Sequence, residues 1–130
     1  MTIDTPALAL LAKAANLLEK HGRTTYNLLD RRGSMCAMGA LNMAYHGSAT
    51  YPEGAKHHDD AVNTTYLRAI KILAASINDS SYDYSRSQVK YAWRIANWNN
   101  DPKTKTSDVL HLMRNPKVSA VPFSMGGEQA

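Results

Sequence analysis

Ser34-Met-Cys-Ala-Met-Gly-Ala-Leu-Asn-Met-Ala-Tyr-His-Gly47 is the stretch whose reading decides the fold. Ser34 can cap a helix by accepting a bond from backbone N–H groups two or three residues on. Gly47 can end that helix in the left-handed conformation that glycine adopts without steric penalty. Between the two almost nothing is polar. Cys36, Gly39, Ala40 and Met43 share one side at spacings of three and four, and Met35, Met38, Leu41 and Tyr45 share another. A helix apolar nearly all round belongs in an interior. Residues 34–46 are therefore expected to be the buried central helix of a mainly α, compact bundle. The small residues Cys36, Gly39 and Ala40 should let a second helix approach closely.

The flanks supply about four more helices. Thr5-Pro6 predicts a helix start, a cap followed by proline at the first helical position, and Gly22 predicts its end. Leu8, Leu11, Ala15 and Leu18 form its stripe, widened by Leu10, Ala14 and Leu17. Residues 23–33 break the helical period. Thr24-Thr25-Tyr26 is β-prone and Asp30-Arg31-Arg32-Gly33 reads as a turn, so this excursion can close as a short hairpin. After a loop with Pro52 and Gly54, a third helix is expected from Asp59 or Asp60, with Val62, Tyr66, Ile70, Leu73 and Ile77 inward. Ser85-x-x-Gln88 is a capping-box pattern for a fourth helix running to about Asn97. Val89, Trp93 and Ala96 are expected on its inner face, with Tyr91, Ile95 and Trp98 projecting elsewhere. Thr106 or Ser107 should cap a fifth helix carrying Val109, Leu110, Leu112 and Met113. Residues 1–116 are expected to form one helical domain. The tail, 117–130, should dock in part and fray at its end.

The chain has 130 residues, of which 44% are hydrophobic and 20% charged, with a net charge of +4. That is ordinary for a globular domain. No apolar run reaches the ~20 residues of a membrane span, and the start lacks the basic region of a secretory signal. The single cysteine excludes an internal disulfide. A cytoplasmic location, without membrane attachment, is the expectation.

Four constellations carry chemistry on paper. Cys36, near a helix start that can stabilise a thiolate, could join His111 and Asn97 or Asn99 as a thiol hydrolase set. Its apolar neighbours favour the plainer alternative of a small buried hydrophobe. His57-His58-Asp59-Asp60, with His21 or His46 and Asp101 or Asp108, could hold a divalent metal, but the pair lies in or beside a loop and reads first as solvated surface running into a helix start. Arg86, Lys90 and Arg94 lie four apart, flanked by Tyr91 and Trp98, and could meet phosphates while the rings stack on bases. Tyr82, Tyr84, Tyr91 and Trp98 form an aromatic set of the kind that anchors protein interfaces. No Gly-rich phosphate loop, Gly-x-Ser-x-Gly, paired-cysteine zinc pattern or His-Glu-x-x-His occurs. Cofactors are not expected.

The helix ending at His21-Gly22, then Cys36-Ala-Met-Gly-Ala-Leu41, Trp98-Asn99-Asn100 and Val109-Leu110-His111-Leu112-Met113, together resemble a known pattern. They are similar to small actinobacterial and actinophage proteins grouped as a domain of unknown function. The likeness spans most of residues 8–113. Asn100 stands where that pattern has Asp, and Arg23 where it often has Trp. The resemblance implies no activity, cofactor or catalytic residue. It implies a mycobacterial or related phage origin, and small phage proteins often bind and modulate a host protein. The leading expectation is thus a non-enzymatic protein-binding module, using Tyr82, Tyr84, Arg86, Lys90, Tyr91, Arg94 and Trp98. A nucleic-acid-binding accessory protein stands second, and a Cys- or metal-dependent hydrolase third.

Overall fold

A computed structural model of the chain describes residues 3–50, 64–77 and 88–120; the side chains of residues 88–90 lie outside that description. Five helices stand in order among these residues: α1 (Thr5–His21), α2 (Ala37–His46), α3 (Thr65–Ser76), α4 (Gln88–Asn100) and α5 (Thr106–Arg114). The mainly helical bundle expected from the hydrophobic spacing is what forms. α1 lies against α2, α3 and α5, while α4 packs on α3 and α2. From Ala37 to Asn42 every residue of α2 is buried, as is Ala44. The apolar sides of α1 (Leu11, Ala14, Ala15, Leu18) and α3 (Ile70, Ile72, Leu73) close over it in one core.

Several helix starts fall elsewhere than expected, because another side chain supplies the cap. Asp4, not Thr5, caps α1: its carboxylate accepts the Ala7 N–H at 3.2 Å and pairs with Arg68 at 2.6 Å. Thr64 caps α3 by accepting the Leu67 N–H at 3.1 Å, so this helix begins after, not at, Asp59 or Asp60. Lys105 is the cap residue of α5, and the Asp108 carboxylate accepts its N–H at 2.8 Å. Cys36, not Ser34, is the cap of α2, with its sulfur accepting the Gly39 N–H at 3.3 Å. The Ser34 hydroxyl donates instead to the His21 carbonyl at the end of α1. Gly47 ends α2 in the left-handed conformation, as expected.

Residues 23–34 form no hairpin. Met35 makes isolated bridges to both Arg23 and Leu29, which leaves an excursion folded back on Met35 rather than two paired strands. This excursion, not a second helix, uses the small side of α2. A Cβ added to Gly39 would lie 2.0 Å from the Leu28 carbonyl oxygen.

Beyond α5 the chain returns to the bundle. The Val118 N–H donates to the Ser76 hydroxyl at 3.2 Å, and the Ser119 carbonyl accepts from the Asp4 N–H at 2.9 Å. Residues 121–130 lie outside the described residues.

At an open helical position Gly→Ala stabilises by about 1 kcal/mol. Gly39→Ala should do the reverse, destabilising by about 3 kcal/mol or more, because the Leu28 backbone must withdraw. Chemical denaturation compared with wild type checks this.

Candidate functional site

The excursion and the carboxyl end of α4 meet in a polar clamp. Asn99 is fully buried. Its side-chain Oδ1 accepts the Ala37 N–H at 3.1 Å, and its side-chain Nδ2 donates to the Thr24 carbonyl at 3.0 Å. The first turn of α2 is thereby capped from 62 residues away. Arg23 completes the clamp. Its guanidinium donates to the Asn99 carbonyl at 2.6 Å, the Thr104 carbonyl at 2.9 Å and the Thr106 hydroxyl at 3.0 Å. A cation suits that place, since the last carbonyls of a helix lack internal partners and carry partial negative charge. Asn100 adds a third strut by accepting the Tyr26 N–H at 2.7 Å.

Tyr26 stands on that strut with φ of +67° and its side chain 77% exposed. Trp93, at 64%, is also exposed. Trp93, Asn97 and Asn100 recur at spacings of four and three, which places them on one face of α4. The amide end of that face adjoins Tyr26.

The orientation of α4 is therefore the reverse of the expected one. Tyr91 is only 2% exposed, Ile95 is buried and Trp98 packs partly against the core, whereas Trp93 faces out. Both ridges of the helix are apolar, so periodicity could not choose between them. Asn99 chooses: Tyr91, Ile95 and Asn99 lie four apart, and the inward demand of the amide turns the ridge with it. Lys71 Nζ sits 5.1 Å from the Tyr91 ring centroid, a cation–π contact. Arg94 is half-buried and its Nε donates to the Ala74 carbonyl at 3.1 Å. Tyr91 is thus no surface anchor. Tyr82, Tyr84 and Arg86 lie outside the described residues, as does the side chain of Lys90.

Of the hydrolase candidates Asn99 lies beside Cys36, bonded to the Ala37 N–H, but the other two do not join it. Cys36 is 6% exposed, while His111 and Asn97 are at the surface. Burial pushes the Cys36 thiol up from its ordinary 9.0, outweighing the bond from the Gly39 N–H. His57, His58 and Asp59 lie outside the described residues. Among the described residues no group of three or more His, Cys, Asp or Glu side chains could hold a metal ion. Neither is any described helix long and apolar enough to cross a membrane.

In the sequence Asn99 is a candidate only as a partner of Cys36, and neither Arg23 nor Asn100 is expected to have a functional role. The signal was present as two departures from the resembled pattern, Arg23 for Trp and Asn100 for Asp. The structure places both residues in one clamp.

A family model described as a family of unknown function (DUF6197) matches residues 2–115, and the chain belongs to that family. No curated protein and no solved structure matches it.

Two outcomes follow from this geometry. Asn99→Ala strips partners from two backbone groups and should destabilise by about 2–4 kcal/mol, whereas Asn97→Ala at the surface should change stability by less than about 0.5 kcal/mol. Urea melts of the two variants check the contrast. Native Cys36 should alkylate far more slowly than the unfolded chain at neutral pH. Because its thiol is raised in the folded state, its contribution to stability is complete below the ordinary 9.0 and is lost as pH rises through the folded value. Equally fast labelling of folded and unfolded protein would contradict this.

Proposed function

We propose that this chain is a non-enzymatic protein-binding module whose partner docks on the surface carrying Tyr26 and Trp93. The observation that supports this most strongly is the backbone of Tyr26. A left-handed conformation costs an L-residue about 1–2 kcal/mol, and for a bulky side chain it is a genuine outlier. Here the strain returns no burial, since the ring is 77% exposed. Strain held without a packing return points to recognition.

The supports around Tyr26 fit that role. The Asn100 amide holds its N–H, and Arg23 holds the end of the helix that carries Asn100. An aromatic ring on a fixed backbone has few torsions left to freeze on binding. Trp93 offers a second anchor, and tryptophan and tyrosine are enriched among residues that dominate binding energy. The buried thiol and the scattered His111 and Asn97 favour binding over catalysis.

The resemblance to actinobacterial and actinophage proteins makes a host protein the natural partner, met in the bacterial cytoplasm. The aromatic set shifts accordingly, from Tyr91, which is buried, to Tyr26 and Trp93.

The test is affinity capture from a nuclease-treated actinobacterial lysate, using wild type and the pair Tyr26→Gly/Trp93→Ser. Wild type should retain a stoichiometric protein, and the double variant should lose it by about tenfold or more. Tyr26→Gly alone should leave the fold as stable or up to about 1 kcal/mol more stable, because glycine relieves the strained φ. Equal capture by both proteins would overturn the assignment.

A further inference from the structure

The charges at this end of the molecule are sorted in a way that narrows the partner's chemistry. Two of the described arginines away from the clamp meet carboxylates: Arg68 pairs with Asp4 at 2.6 Å, and Arg114 with Glu19 at 2.7 Å. Around the clamp the carboxylates bond chiefly to backbone N–H groups, with Asp30 also feeling the Arg32 charge. Asp30 accepts the N–H groups of Arg32 and Ser34, both at 2.9 Å. Asp101 accepts the Lys103 N–H at 2.9 Å, and Asp108 the Lys105 N–H at 2.8 Å. Each acid stitches the turn that lifts the neighbouring cations outward. Arg31, Arg32, Lys103 and Lys105 are all exposed, and among the described residues none has a carboxylate within 4.0 Å. Arg23 adds a fixed positive charge held only by carbonyls and a hydroxyl.

The cations fall into two pairs on the turns that flank the clamp, and Tyr26 lies on the same excursion as the first pair. Discrete carboxylates can meet such pairs: an arginine fork matches a carboxylate bidentately, and lysine accepts one as a point charge. A continuous phosphate backbone fits less well, because Asp30, Asp101 and Asp108 flank the two pairs along the chain and break the basic track into separate spots of mixed sign.

We propose that the segment docking on Tyr26 and Trp93 is an acidic stretch of polypeptide, its carboxylates set on Arg31/Arg32 and Lys103/Lys105 and an apolar side chain against the rings. This rests on the protein-binding assignment and deepens it. The surface selects by charge at its rim and takes its grip from the aromatic centre, the usual division at protein interfaces.

The experiment is a backbone and indole NMR titration of the full chain with three probes: a short peptide alternating glutamate with leucine, its glutamine counterpart, and an oligothymidylate of equal charge. The glutamate peptide should shift Tyr26, Arg31, Arg32, the Trp93 indole, Lys103 and Lys105, with affinity falling about tenfold between low and physiological salt. The variant R31Q/R32Q/K103Q/K105Q, changed only at exposed side chains, should weaken it by about tenfold or more. No shifts at these residues, equal shifts with the glutamine peptide, or tighter binding of the oligothymidylate would each overturn the proposal, the last in favour of nucleic acid. The two assignments fail separately. Lysate capture that survives Tyr26→Gly/Trp93→Ser removes the aromatic surface, whereas capture that survives the four-glutamine variant removes only the acidic partner.

Discussion

A helix whose opening turns are buried on every side has nowhere to hide its amino end. The first N–H groups of an α-helix have no partner within it, and a buried donor left unpaired costs about 1–3 kcal/mol. α2 meets this with two unusual acceptors, the sulfur of Cys36 and the side-chain oxygen of Asn99. Asn99 belongs to α4, so the start of the central helix depends on the end of another. The same amide holds the Thr24 carbonyl. One side chain thereby ties α2, α4 and the excursion between α1 and α2 into a single arrangement.

The consequences run outward from that tie. With Asn99 forced inward, α4 can present only the ridge of Tyr91 and Ile95 to the core, and Trp93 is left in solvent. With the excursion held at Thr24, its backbone presses on α2 until only a glycine fits at position 39. Arg23 then ties the carboxyl end of α4 to the start of α5, through the Asn99 and Thr104 carbonyls and the Thr106 hydroxyl. The backbone of Tyr26 is anchored by the same arrangement. Residue 26 lies where the chain must turn back toward Asn100, and the bond between them holds the left-handed backbone in place.

What the sequence disclosed, and what it withheld, follows from the same physics. The helices of Leu11 and Leu18, of Leu41 and of Ile70 and Leu73 were legible because periodic apolar burial is a local property that spacing records. Caps were less legible. Asp4 and Thr64 compete with nearby residues of equal capping ability, and the winner is decided by tertiary contacts such as that of Asp4 with Arg68. The hairpin over 23–33 was suggested by β-prone residues, but strand propensity yields to context, and here Met35 takes both neighbours for itself. The rotation of α4 could not be read at all. Its two ridges carry equivalent apolar content, and the deciding residue is polar and would ordinarily be assigned to a surface. The clamp was hard to read for a related reason: Arg23 lies 76 residues from Asn99 and 81 from Thr104, and nothing in composition marks them as neighbours.

Cys36 shows how far a residue's neighbours settle its role. At the start of a helix a thiol can be activated, because the dipole and free N–H groups favour the anion. Here the same geometry is present, and the sulfur does accept a backbone N–H. Burial opposes it and prevails, raising the thiol rather than lowering it. Serine would accept that N–H more strongly, yet its hydroxyl would bring a donor and a further lone pair into an apolar site, where each unmet polar contact is penalised. Sulfur is a weak enough acceptor to cap the turn and apolar enough to remain buried. The position is therefore neither inert filling nor a reactive tool. It closes the amino end of α2 from within, as Asn99 closes it from across the bundle, and this division of labour lets a helix with no polar face start in the middle of a core.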